Sequence, residues 1–102
     1  MDDAHAVLTD RRALAVLGLT QSPRSAGDIA RAGQIPIAGC YRIINRLLAA
    51  GLLRVAATRH GRRGGGRRVY VSVVGRVIVS FMGGVPRTEV VPRIIVDVAE
   101  WH

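Results

Sequence analysis

Apolar residues recur through the first half of the chain at the spacing of helices, and through the second half at the spacing of strands. Asp2 to Leu8 has the pattern of a loose first turn. Thr9 or Asp10 is placed to cap a better helix, RRALAVLGL, with Leu14 and Leu17 on one face and Ala13 beside them. TQSPRS reads as a loop closed by Pro23, with Ser25 as the N-cap of a second short helix. Asp28, three residues on, resembles the acidic end of a capping box, where Glu or Gln is usual. Ile29 and Ala30 are predicted to face inward, and Gly33 to end the helix from a left-handed position. Pro36 then opens a third helix, at a position where its missing N–H costs nothing. Cys40, Ile44, Leu47 and Leu48 form one apolar stripe on it, and Ile37, Ala38, Tyr41, Arg42, Asn45 and Arg46 occupy the opposite face until Gly51 stops the helix.

Beyond Gly51 the period changes to two. Leu53, Val55 and Ala57 alternate with Arg54, Ala56 and Thr58, and Val69, Val71 and Val73 alternate with Arg68, Tyr70 and Ser72, which predicts two antiparallel strands. The tip between them, roughly Gly61 to Gly66, is too long for a two-residue turn and too glycine-rich to be rigid, so mobility without a ligand is expected. Arg76 to Met82 alternates again with Val77, Val79 and Phe81 inward. Gly83-Gly84 signals a turn, and Val85 to Val91 returns as an edge strand interrupted by Pro86. The tail IIVDVAEWH is compatible with a strand or with one or two helical turns, and helix is the preferred reading. The whole is read as one domain over residues 1–102, with a core at 9–74 and a C-terminal hairpin and tail at 75–102.

Two helices joined by a short turn, the second with a polar and basic outer face, form the helix-turn-helix layout. Charge sharpens that picture. The net charge is +8, all of the positive charge is arginine, and from Ile29 to Thr88 there are eleven arginines and no acidic residue. Seven of them fall between Arg54 and Arg76, around the tip HGRRGGGRR. Such a surface calls for an anionic partner. Nucleic acid fits better than a membrane, because no helix is basic on one face and bulky-apolar on the other along its length. Absence of lysine also fits a GC-rich genome, but arginine forks onto phosphate or guanine whatever its genetic origin.

Other classes are excluded by what the chain lacks. No apolar run approaches the roughly 18–20 residues of a membrane span, and MDDAHAVLTD lacks the layout of a signal peptide, so a soluble cytoplasmic protein is expected. The single Cys40 makes neither an internal disulfide nor a multi-thiolate metal site, and His5, His60 and His102 lack metal-ligand spacing, so no metal and no cofactor are expected. An enzyme is not expected either. There is no mid-chain carboxylate pair, and GRRGGGRR lacks the GK[ST] ending of a phosphate loop.

The block from Arg24 to Val74 resembles the winged helix-turn-helix transcriptional regulators, most closely the arsenical-repressor-like (ArsR-like) group and its archaeal relatives. The phrases PRSAGDIA, IPIAGCYRIINRLLAAGLL and RRVYVSV carry the likeness, which covers about half the chain and is most specific from Ile35 to Leu53. The resemblance implies an α+β fold, a three-helix core with a β-hairpin wing, here extended by a C-terminal β-hairpin and a short tail. It implies that the helix opened by Pro36 reads the major groove of double-stranded DNA while the wing lies on the backbone or in the minor groove. On that helix Arg42 and Arg46 would meet guanine edges or phosphates, Asn45 adenine, and Ile37 and Ala38 a thymine methyl, with Tyr41 and Ser25 in the same contact set. Arg59, His60, Arg62, Arg63, Arg67 and Arg68 of the wing would meet phosphate. Two departures from the group stand out: the cysteine and histidine clusters of its metal sensors are absent, and a hairpin replaces the long C-terminal dimerisation helix.

The expected function is therefore sequence-specific DNA binding by a regulator, a repressor by occlusion, in the nucleoid-associated cytoplasmic pool. A sequence-tolerant architectural protein, or an adaptor binding RNA or protein, remains the alternative, as does a plain solvated surface for either residue set. A homodimer is expected, because Val77, Val79, Phe81, Ile94, Ile95, Val96, Val98 and Trp101 supply more apolar surface than so small a core needs.

Overall fold

The computed structural model describes residues 3–60 and 66–93. Among them run helices α1 (Asp3–Leu8), α2 (Arg11–Leu19), α3 (Ala26–Gly33) and α4 (Ile37–Ala49), and strands β1 (Arg24–Ser25), β2 (Leu53–His60), β3 (Gly66–Ser72), β4 (Val74–Ser80) and β5 (Arg87–Pro92). This is the expected α+β architecture: a helical core, a β2–β3 wing and an additional β4–β5 hairpin.

Asp10 begins α2. Its backbone is extended and its carboxylate accepts from the N–H groups of Arg12 (2.9 Å) and Ala13 (3.5 Å), a cap typically contributing about 1 kcal/mol. Ala13, Val16 and Leu17 are buried, but Leu14, expected beside them, is 42% exposed. Residues on a helix are about 100° apart, so the stripe that includes Val16 leaves Leu14 on its margin. Val7 and Leu8 of α1 are buried too, so this first turn belongs to the core.

Ser25 caps α3 as expected, its Oγ accepting from the Asp28 N–H at 3.2 Å. The end of α3 corrects the sequence reading. The left-handed residue is Gln34 (φ 53°), not Gly33, and the Ile35 N–H closes the turn onto the Ala30 carbonyl at 2.9 Å. Gly33 supplies room instead: a Cβ there would lie 3.1 Å from Ile35 Cδ1 and 3.3 Å from Leu19 Cδ1. Pro36 stands at the cap of α4, as predicted. Cys40, Ile43, Ile44 and Leu47 form its buried stripe, with Ile43 taking the place expected for Leu48, which is half-buried. Gly51 (φ 75°) stops the helix; its N–H donates to the Leu48 carbonyl and that of Leu52 to the Leu47 carbonyl, the paired bonds of a Schellman turn.

The sheet order β1-β3-β2 holds a further correction. Arg24 and Ser25, read as loop, pair with Tyr70 and Val69 as a two-residue strand. In β3 the predicted alternation does not carry into burial: Val69, Tyr70, Val71 and Ser72 are all buried, with Tyr70 joining the helical core. In β2 a register shift between Val55 and Ala57 breaks the alternation, and Val55 is 40% exposed.

The wing and hairpin meet at a polar knot. Ser72 Oγ donates to the Val74 carbonyl and accepts from its N–H, both at 3.0 Å, and the Ser72 N–H donates to the Thr20 carbonyl at 2.8 Å. Val73 N–H reaches Leu52, and Arg93 N–H reaches Val73. From this knot β4 and β5 run antiparallel, Val74 opposite Pro92 and Ser80 opposite Arg87. The predicted glycine turn is present, with Gly83 and Gly84 at φ 73° and 78°. Pro86 precedes β5 and does not interrupt it. Among the described residues, only the base of this hairpin touches the core, through Val74, Val77 and Val90. Val79 and Phe81, expected inward, are exposed because the hairpin projects past the helices. The wing tip at 61–65, expected to be mobile, and the tail at 94–102, read as helical, lie outside the described residues.

The left-handed positions that end α3 and α4 should respond oppositely to substitution. Gly51→Ala, which meets nothing within 4 Å, is expected to cost about 1 kcal/mol through backbone strain alone. Gln34→Gly should stabilise by about 0.5 kcal/mol, strain relief outweighing the added unfolded-state entropy. Urea midpoints that move the same way for both variants would contradict this account.

Candidate nucleic-acid interface

The buried stripe of α4 sets which residues face outward. Ile37, Ala38, Tyr41, Arg42, Asn45 and Arg46 are all exposed, so the structure brings together on one surface the residues expected there. The face has two flanks. On one, Ile37, Tyr41 and Asn45 line an open cleft of about 490 Å³, completed by Ser25, Ala26, Gly27 and Arg31 of the β1–α3 corner and by Arg68 and Tyr70 of β3. On the other flank Arg46 turns toward Ala6, Val7, Ala49 and Ala50. Arg42 and Ala38 stand between the flanks. Arg42 makes no hydrogen bond or ion pair among the described residues, whereas Arg46 Nη1 lies 3.3 Å from Asp10 Oδ2.

Arg68 of the wing adds charge to the cleft. The wing's backbone register sets Thr58 opposite Arg68, Arg59 opposite Arg67 and His60 opposite Gly66. The Arg68 side chain is exposed and reaches the cleft; Arg62 and Arg63 lie outside the described residues, as do the side chains of Arg59, His60 and Arg67. No carboxylate occurs between Ile29 and Thr88, so α4 and the wing supply only positive side-chain charge of their own, and an excess of one sign raises the local concentration of an anionic partner.

Several lining groups had no signal in the sequence. Gly27 and Arg31 enter the cleft only because β1 pairs with β3 and carries the start of α3 alongside α4. A two-residue strand is too short to show a period. Strand periodicity places Tyr70 in a strand but carries no sign of the cleft. The Asp10–Arg46 pair spans 36 residues, and no local pattern announces it.

Cys40 positions α4 from the inside. It is fully buried, and its thiol lies 3.6 Å from the Ala26 carbonyl, tying α4 to the first turn of α3. Burial pushes this thiol above its ordinary value of 9.0. Among the described residues no helix is long and apolar enough to cross a membrane.

No protein-family model matches the chain, and no curated protein matches it. Solved structures do. One is the solution structure of a homodimeric winged helix-turn-helix DNA-binding domain from Mycobacterium bovis, a possible ArsR-family transcriptional regulator. The match has a TM-score of 0.56 and 24% identity over 69% of this chain and 60% of the other. A crystal structure of a possible transcriptional regulatory protein from Mycobacterium bovis matches with the same score and identity, over 69% of this chain and 70% of that one. NolR from Sinorhizobium fredii matches with a TM-score of 0.57 and 16% identity, over 72% and 68% of the two chains. The fold is thus that of the winged helix-turn-helix domains. The chain spans less than two thirds of the first of these structures.

Cys40 offers a check on how firmly α4 is seated. Its reaction with a thiol-exchange reagent should be slower than that of a free thiol by at least two orders of magnitude, the factor imposed by an opening free energy of about 3 kcal/mol. The unfolded chain loses this proton first, so the group's contribution to stability is full below pH 9.0 and declines as pH rises beyond it. Prompt labelling of the native protein at neutral pH would contradict the buried placement.

Proposed function

We propose that this chain is a sequence-specific double-stranded DNA-binding transcriptional regulator of the ArsR-like kind, a homodimer without catalytic activity, working in the cytoplasm as a repressor by occlusion. The observation that carries the reading is the outer face of α4, where Arg42, Asn45, Tyr41, Ile37 and Ala38 stand exposed beside an arginine-rich wing. In the proposed complex α4 enters the major groove. Asn45 pairs with adenine, Arg42 with a guanine edge or a phosphate, and Ile37 and Ala38 pack on thymine methyls. Ser25 and Arg68, with Arg59, His60, Arg62, Arg63 and Arg67, hold the phosphate backbone or enter the minor groove.

The description of the Mycobacterium bovis domain as a homodimeric DNA-binding domain supports both halves of this reading. The apolar surface left on the β4–β5 hairpin, where Val79, Phe81, Met82 and Val85 are between 51% and 81% exposed, supports the homodimer. A second copy covering it would need to set the two α4 helices about one DNA turn, roughly 34 Å, apart to meet two half-sites.

Selection of bound sequences from a random duplex pool tests the reader role, with enrichment of an inverted repeat expected. On the selected site, Arg42→Ala and Asn45→Ala should each cost about 1–3 kcal/mol, with smaller losses on random duplex. Equal losses on both would make these residues phosphate contacts and favour the architectural reading. About six phosphate contacts would give a log K against log salt slope near −5, and replacing Arg62, Arg63, Arg67 and Arg68 with alanine should flatten it by several units.

The dimer has its own measurement. Light scattering should give twice the 10.9 kDa chain mass, and Phe81→Asp combined with Met82→Asp should halve it while the fold persists. A wild-type protein that is monomeric at high micromolar concentration would remove the dimer.

A further inference from the structure

Asp10 uses both carboxylate oxygens. Oδ1 caps α2 by accepting from Arg12 and Ala13, and Oδ2 faces the Arg46 guanidinium at 3.3 Å. The carboxylate is not free to wander: the cap fixes its orientation, and the Asp10 N–H and carbonyl are bonded to Val7 and Leu14. The pair is half-exposed, 46% for the Arg46 side chain and 35% for that of Asp10. Such pairs add little to stability. The consequence of this one lies in charge and position. It neutralises one of the two arginines on the outer face of α4 and turns it toward α1, while Arg42, one turn earlier, carries no such partner among the described residues.

We propose that Asp10 is a positioning residue, a latch that holds Arg46 out of the nucleic-acid contact. α4 then reads through Ile37, Ala38, Tyr41, Arg42 and Asn45. An additional free arginine on the flank would find phosphate on any sequence, adding affinity without discrimination. Holding Arg46 against Asp10 keeps that indiscriminate term out of the binding energy. This rests on the DNA-binding reading above.

The test is salt-dependent binding of the full chain to its selected duplex and to a random duplex. Asp10→Asn keeps a side chain that caps helices as well as aspartate does, but removes the countercharge. It is expected to tighten random-duplex binding several-fold and to steepen the log K against log salt slope by about 0.9, the value of one phosphate contact. The selected duplex should tighten by the same factor, so that the ratio of selected to random affinity stays unchanged while absolute affinity rises. Arg46→Ala in the wild-type background should change either affinity far less than Arg42→Ala does, and Asp10→Asn with Arg46→Ala should return the slope to its wild-type value.

An unchanged slope in Asp10→Asn would overturn the latch, and so would a loss in Arg46→Ala equal to that in Arg42→Ala. A double variant that stays as tight as Asp10→Asn would also overturn it, because the gain would then come from removing a negative charge and not from releasing Arg46. Asp10→Ser, a second capping residue, repeats the measurement should the asparagine variant unfold. Failure of the wild-type chain to bind either duplex would instead bring down the DNA-binding reading itself.

Discussion

The outward chemistry of this protein depends on the rotation of α4 about its own axis, and that rotation is set by the burial of Cys40, Ile43, Ile44 and Leu47. Fully burying an aliphatic side chain stabilises by about 1.5–3 kcal/mol. Turning α4 by a single position, about 100°, would bring part of this stripe into water and carry polar residues of the outer face toward the core. No exposed ion pair or hydrogen bond on the surface competes with a penalty of that size. The helix is held at both ends as well, by Pro36 at its start and by the Gly51 turn that passes straight into β2. Recognition chemistry and wing are thereby referred to the same rigid element.

The sheet makes the second connection. β3 lies between β1 and β2 and bonds to both, so the start of α3 and the base of the wing are fixed to one strand. That arrangement closes the cleft beside α4, where Ser25, Gly27, Arg31 and Arg68 meet Ile37, Tyr41 and Asn45. The polar knot at Ser72 then joins this sheet to β4 with its hydroxyl satisfied as both donor and acceptor. A fully buried serine is tolerable because neither role is left unmet.

Electrostatically the molecule is divided. Its carboxylates lie outside the stretch from Ile29 to Thr88, while α4 and the wing carry arginine. Asp10 is the exception in space though not in sequence, since folding brings it across 36 residues to α4. A carboxylate so placed acts on the charge of the outer helix face directly, well inside the roughly 10 Å over which Coulomb interactions are screened at ordinary salt.

Local physics was enough to settle a good deal from sequence alone. The caps at Asp10, Ser25 and Pro36, the stop at Gly51 and the glycine turn at Gly83-Gly84 are single-residue effects, so they were legible, as was the division of α4 into an apolar stripe and a polar face. What periodicity could not reveal was set by neighbours distant in the chain. Gln34 holds the left-handed position because Gly33 is needed for close approach to Leu19 and Ile35. Tyr70, read only as a strand residue, is buried because β3 packs that side of itself on the helices. Phe81 and Val79 are exposed because the hairpin outruns the core. Spacing along the chain decides which element a segment forms and which residues share a face; it carries no information about what that face will meet, since packing partners are chosen only when the tertiary contacts form.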